Sequence, residues 1–154
     1  MTEARVATVD AYILRRADGR WETLLLRRAA GTRSAGSWEA VHGHLEAEER
    51  PEDAAIREVR EETGLAVERL YNVAVQPFYL HASGLVTLAI AFAAVVSARA
   101  EPSLGPEHDR SDWLPLSLAS AKLRWPRSRA ALSDIALLLA TGDAGPMEDV
   151  LRVR

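Results

Sequence analysis

Residues 43 to 65 read GHLEAEERPEDAAIREVREETGL, and this stretch decides how the rest of the chain is read. Pro51 suits the first turn of a helix, where its fixed φ is correct and its missing N–H costs nothing. Gly64 is placed to end that helix. Ala55, Val59 and Glu62 recur at helical spacing, but the apolar stripe is narrow and the helix is mostly polar, unusual for one packed on a core. Between Glu46 and Glu62 lie 8 of the chain's 22 carboxylates. Glu58 and Glu62 sit one turn apart, about 6 Å along the axis, with Glu61 on the same side, and like charges at that spacing repel. Arg57 is expected to point elsewhere. A solvated acidic face is the simpler reading for an arbitrary helix. Three carboxylates converging on one side suit a hard divalent cation better, because Mg²⁺ takes oxygen ligands and is usually shared with phosphates.

Outward from the helix, the chain reads as alternating elements. Ala7, Val9, Ala11 and Ile13 alternate within residues 6–14, which predicts a strand. Asp18-Gly19 marks a turn, and Trp21–Arg28 a second strand. Gly31–Ser37 is a loop. Val67–Leu80 and Leu85–Val96 predict two more strands joined through Ala82-Ser83-Gly84. The later one is apolar on both faces, which requires a central, doubly covered position. Ser97–Ser111 reads as a long loop, of the kind that is often functional, and Trp113–Leu116 as a short strand. Leu132, Ile135, Ala136 and Leu139 give residues 127–140 a helical stripe. The tail from about Gly142 is expected to pack poorly. Strands alternating with helices predict an α+β fold, a mixed sheet with helices on both faces.

Composition bounds the rest. The chain has 154 residues, a net charge of −3, 48% hydrophobic residues and no cysteine. That length fits one domain, and a disulfide, Cys-zinc site or Cys nucleophile is excluded. Residues 1–5 lack an apolar run, so no secretory leader is expected. Leu70–Ala98 carries no Asp, Glu, Lys or Arg, yet polar residues interrupt it before the ~20 apolar residues of a membrane span. Cytoplasm is the default location. The mild acidity argues against a general nucleic-acid binder.

The spacing carries a resemblance. Gly43, five residues, Glu49, seven residues, Arg57-Glu58-Val59, one residue, Glu61-Glu62, one residue, Gly64-Leu65 resembles the Nudix box at every defined position. Arg27-Arg28-Ala29-Ala30 with Gly43, and Glu107 with Trp113, look like the MutT-type pyrophosphatases. The run through Trp125 and Arg129 looks most like the dihydroneopterin triphosphate and dATP pyrophosphatase branch. Three positions depart from the pattern. His42 and Glu48 stand where relatives carry glycine, and Arg50 takes the helix N-cap slot, where it is a poor cap.

The resemblance implies the Nudix α/β/α sandwich over a single domain, residues 1–154, with the box at 43–65. It implies Glu58 and Glu62 as ligands of Mg²⁺ (or Mn²⁺), joined by Glu61, Glu107 and the backbone carbonyl of His42. The base for the attacking water is Glu61 or Glu107. Gly43, Glu49, Arg57 and Gly64 are implied to be structural, with Glu49 and Arg57 an ion pair. Arg28, and less so Arg27, are candidates for gripping phosphate, with a solvated strand end the level alternative for Arg28. Trp38, Phe78 and Tyr79 stack on a base or belong to the core. Trp113 and Trp125 are expected to anchor packing, and His44, His81 and His108 to be surface or loop residues.

The reaction so implied is hydrolysis of a nucleoside or pterin triphosphate to the monophosphate and pyrophosphate. ADP-ribose or a dinucleoside polyphosphate is the alternative substrate, and a nucleotide-binding module without catalysis is the alternative of another class. The isopentenyl diphosphate isomerases share the fold but use a cysteine, which this chain lacks.

Overall fold

A computed structural model describes residues 2–154. It contains a seven-stranded mixed sheet: β1 (Glu3–Ala17), β2 (Arg20–Arg28), β3 (Trp38–Glu39), β4 (Val41–His44), β5 (Arg69–Leu80), β6 (Leu85–Val95) and β7 (His108–Pro115). The main path runs β3-β2-β1-β6-β5, with β4 paired to β1 and β7 to β2. Only β1 and β6 run parallel; the other pairings are antiparallel. β6 is interior, as its two apolar faces require. β1 is longer than its alternation indicates and is buried on both faces from Thr8 to Leu14.

Two cores follow from that double burial. On one face Val9, Ala11, Ile13, Leu24, Leu26 and Phe92 pack against Ala54, Ala55 and Val59 of helix α1 (Pro51–Thr63). On the other, Tyr12, Leu14, Leu25 and Tyr71 pack beneath α2 (Leu116–Lys122) and α3 (Pro126–Leu138), chiefly through Ala119, Leu132 and Ile135. The result is the α/β/α sandwich. The narrow stripe of α1 is thereby explained: two alanines and a valine suffice to seat it, and its remaining surface is left for the site.

Several expectations are corrected. The long loop ends at Glu107, because residues 108–111 continue into β7 and ladder onto β2, Arg28 pairing with His108. Their side chains are polar, so the strand shows no apolar alternation; its backbone bonds define it. The tail is packed, not loose. A 3₁₀ turn (Gly145–Met147) and helix α4 (Glu148–Leu151) bring the chain end to β5, where Val153 N–H donates to the Leu70 carbonyl at 2.8 Å and Ala144 is buried. An exposed sheet edge offers free backbone groups, and the tail takes them. Ala136 faces solvent; the inward stripe of α3 is Ser128, Ala131, Leu132 and Ile135. Among the described residues no helix is long and apolar enough to cross a membrane.

Helix α1 has no side-chain N-cap at Arg50 and ends on Gly64 in the left-handed region, its N–H donating to the Arg60 carbonyl at 2.8 Å. The loop before it forces Glu48 to φ +60°, a conformation costing a side chain about 1–2 kcal/mol, of which glycine's greater chain entropy returns part. Glu48→Gly is therefore expected to raise stability by about 0.5–1 kcal/mol. An unfolding midpoint equal to or below that of the parent would refute this.

Candidate active site

The carboxylates of α1 meet the end of the long loop. Glu58, Glu61, Glu62 and Glu107 line one hollow of about 160 Å³ together with His108. A neighbouring hollow shares Glu58, Glu62 and Glu107 and adds His42, Gly43 and Arg57. The helix delivers its three glutamates at different depths: Glu61 is 58% exposed at the rim, whereas Glu58 and Glu62 are largely covered. Depth here follows from Gly43. A Cβ on that residue would lie 2.1 Å from the Glu58 carboxyl carbon, so the missing side chain is the space that Glu58 occupies.

Arg57 does not point away from the carboxylates. Its Nε and Nη2 donate to both oxygens of Glu49 at 2.8 and 2.9 Å, and Nη2 also to the His44 carbonyl at 3.0 Å. Nη1 reaches Glu58 at 2.6 Å and Glu61 at 3.3 Å. A long flexible arm crosses the angle that separates it from its neighbours on the helix, and a planar guanidinium with five donors serves several partners at once. The pair with Glu49 clamps the loop onto the helix and holds Glu49 below the ordinary carboxylate range.

Glu62 is the most constrained group. It is 7% exposed, and its Oε2 has no hydrogen-bond partner among the described residues. Burial first, then the nearby charges of Glu58, Glu39 and Glu107, push its pKa up to about 9. Burial likewise raises Glu58, against the pull of Arg57. Among the described residues no three carboxylates or imidazoles stand close enough together to form a metal-ligand cluster. Glu58 is turned to Arg57.

Behind Glu62 lie Glu39, which the sequence did not mark, and His108, which was expected at the surface or in a loop. His108 is buried, not a surface residue: its Nε2 is 2.8 Å from Glu39 Oε1, and its Nδ1 faces Glu62 Oε2 at 3.9 Å. Burial pushes Glu39 up, but hydrogen bonds from His108 and Arg28 outweigh it and hold the carboxylate below its usual range. With Glu39 ionised, the imidazole donates from Nε2 and leaves Nδ1 toward Glu62. Arg28 closes the chain, with Nη1 on Glu39 at 3.0 Å and Nε on the Arg33 carbonyl. Arg27 is engaged by Asp109 at 2.8 Å. The backbone carbonyl of His42 belongs to β4. His44 and His81 are exposed, as expected.

His42, His44 and Glu39 also line a cleft of about 240 Å³ on the sheet face that carries α3. Phe78 is half-buried in its wall. Trp125 is 52% exposed there and does not anchor the core. Trp113 does pack, with Arg15 over its ring at 4.3 Å. Trp38 is half-buried under Lys122, and Tyr79 faces out.

A profile described as the NUDIX domain matches residues 4–135. The chain belongs to the Nudix family. It is a hydrolase acting on phosphoanhydride bonds. Among solved structures, this Nudix chain is similar to a MutT NUDIX hydrolase from Burkholderia pseudomallei, with 29% identity over 86% of this chain and 98% of that one, at a TM-score of 0.66. An Ap4A hydrolase of C. elegans superposes at a TM-score of 0.72 with 22% identity, covering 92% and 99% of the two chains. It speaks for the fold alone. A protein named octanoyltransferase from Myxococcus xanthus is 33% identical over 123 residues, 75% of this chain. The Nudix chain spans about a third of the length of that relative, 32%.

Proposed function

We propose that this Nudix hydrolase cleaves a nucleoside or pterin triphosphate to the monophosphate and pyrophosphate, in the manner of the dihydroneopterin triphosphate and dATP branch. The observation that carries the reading is the position of Glu62: a buried carboxylate with a partnerless oxygen, facing Glu58 and Glu107, beside a cleft reached past His42 and His44. An all-oxygen donor set with an orphaned carboxylate oxygen fits Mg²⁺, or Mn²⁺ in its place. Glu58 and Glu62 would hold the ion, with Glu61, Glu107 and the His42 carbonyl as further oxygens. Bound there, the cation supplies charge neutralisation at the phosphates and a more acidic water.

The chain's own groups do the rest. Glu39 and His108 back Glu62 and limit its motion. Glu61 at the rim or Glu107 on the loop takes the proton of the water that attacks phosphorus, as the bond to the pyrophosphate oxygen breaks. Arg28, near enough to Glu62 to oppose the rise of its pKa, is the better placed of the two arginines to contact phosphate, through the Nη2 that its bonds to Glu39 and the Arg33 carbonyl leave over; Arg27 is paired with Asp109.

The test is product analysis with purified protein and Mg²⁺ on common NTPs and dNTPs, an oxidised dGTP, dihydroneopterin triphosphate, ADP-ribose and diadenosine tetraphosphate. Pyrophosphate released from a triphosphate is the expected result. Turnover of ADP-ribose or the dinucleotide alone overturns the substrate; no turnover of any compound leaves a binding module. Glu107→Gln is expected to lower kcat by about 10²-fold with an unchanged unfolding midpoint. An unchanged kcat would make Glu107 a plain loop carboxylate.

A further inference from the structure

A second group of polar side chains lies in the 240 Å³ cleft, and the hydrolytic chemistry does not use it. Asp10 sits on β1 among buried apolar residues and is 3% exposed. Its Oδ1 is 2.6 Å from His42 Nδ1, and its Oδ2 accepts from Arg127 Nε at 3.1 Å. Burial works to raise its pKa, but the bonds and charges of His42 and Arg127 prevail and keep Asp10 ionised. The Arg127 guanidinium lies 4.5 Å from the Phe78 ring centroid and 4.9 Å from that of Trp125. Three contacts therefore hold one arginine in place.

What that arginine presents is unused. Its Nε is taken, yet neither Nη bonds to any of the described residues, and the side chain is only 14% exposed while lining the cleft. Thr8, on the same wall and 2% exposed, has an Oγ1 with no partner. A buried carboxylate held against an arginine is costly to desolvate and commonly no more stabilising than apolar packing. Here it sets the plane of a guanidinium that lines the cavity with both Nη groups unbonded, in a cleft that also holds a second orphaned polar atom.

We infer that Arg127 is the specificity-determining residue of this cleft, selecting a fused heterocycle that presents an oxo group beside a ring nitrogen, as guanine and 4-oxopterins do, over adenine. The inference deepens the triphosphate reading above and rests on it, narrowing that branch to its pterin side and setting aside dATP. A guanidinium offers two parallel N–H donors, which match the O6 and N7 acceptors of guanine. In a 4-oxopterin, O4 and N5 stand in the same relation. Adenine places an amino donor beside N7, so a donor would meet a donor. Phe78 and Trp125 flank the guanidinium and offer apolar surface to a flat ring. Arg127 lines neither hollow that holds the carboxylates, which separates it from the reacting phosphates.

The experiment is calorimetric binding of GMP, AMP, 7-deaza-GMP and neopterin monophosphate to the full chain in EDTA, where no turnover intervenes. GMP and neopterin monophosphate are expected to bind about 10–100-fold more tightly than AMP, and loss of N7 to cost about tenfold. Arg127→Lys keeps a charge for Asp10 but removes the fork, and should bring GMP and AMP within about threefold of each other. Should that variant fail to fold, the comparison of GMP with 7-deaza-GMP on the parent protein decides alone. Equal binding of GMP and AMP, a preference for AMP, no binding of either, or full displacement of GMP by inorganic pyrophosphate would each overturn the assignment; the last would make Arg127 a phosphate contact. A guanine preference without triphosphate hydrolysis would instead sink only the reaction reading.

Discussion

Glu62→Gln should lose turnover on the order of 10³-fold and yet unfold at a higher temperature than the parent in EDTA. The two effects share one cause. Glu62 is buried with an orphaned oxygen among Glu58, Glu39 and Glu107, and its pKa is pushed up from 4.5 to about 9. A carboxyl whose folded pKa lies above its unfolded value opposes folding once the unfolded chain ionises it. The penalty is absent below about pH 4.5, grows as the pH rises toward 9, and is constant beyond. The amide carries no charge and escapes it. The midpoints of the two proteins should therefore coincide at low pH and separate by several degrees at pH 8, the variant higher. Mg²⁺ should close that gap by stabilising the parent and leaving the variant unmoved. Activity retained within about tenfold, or a variant less stable than the parent at pH 8 without metal, would refute the assignment. The carboxylate proposed to hold the ion is thus one that the fold holds at a loss.

The second large effect is expected from a single methyl group. In Gly43→Ala the new Cβ would sit 2.1 to 2.4 Å from the Cδ, Cγ and Oε1 of Glu58. Backbone on β4 is held by its ladder to β1, where Gly43 pairs with Val9, so the glutamate must yield. It can do so only by rotating further toward Arg57 and solvent. We expect kcat/KM to fall by at least about 10²-fold, because misplacing a reacting or ligating group by an ångström costs that much. Stability should drop by only about 1–3 kcal/mol, the ordinary cost of overpacking. Full activity in a folded Gly43→Ala protein would show that Glu58 does not work from where it stands.

These two residues lie at the boundary between what the linear order of the chain conveys and what it conceals. The α1 helix begins at Pro51 and ends at Thr63 against the Gly64 cap, as its sequence indicates, since a proline start and a glycine stop are local devices that act within one turn. The spacing of Glu58, Glu61 and Glu62 is likewise local, and a regular helix converts it directly into geometry. Arg57 shows where that conversion fails. Its backbone position is given by the helix, but a long side chain with several acceptors in reach chooses among them by energy, and it chose Glu49, Glu58 and Glu61 together.

Fold class, the doubly covered strand β6, the acidic helix and membership in a phosphoanhydride-cleaving family were all written in the amino-acid order, because periodicity and fixed short spacing are properties of neighbours along the chain. Tertiary structure alone brought His108 to Glu39 across 69 residues and Arg127 to Asp10 across 117. It also drew β3 and β4, only 2 and 4 residues long, into the sheet and laid the C-terminal segment on β5. None of these has a periodic or spacing signature. A strand of two residues is too short to alternate, backbone pairing at a sheet edge asks little of side chains, and a lone histidine, aspartate or arginine acquires its chemistry only from the partner that burial forces upon it.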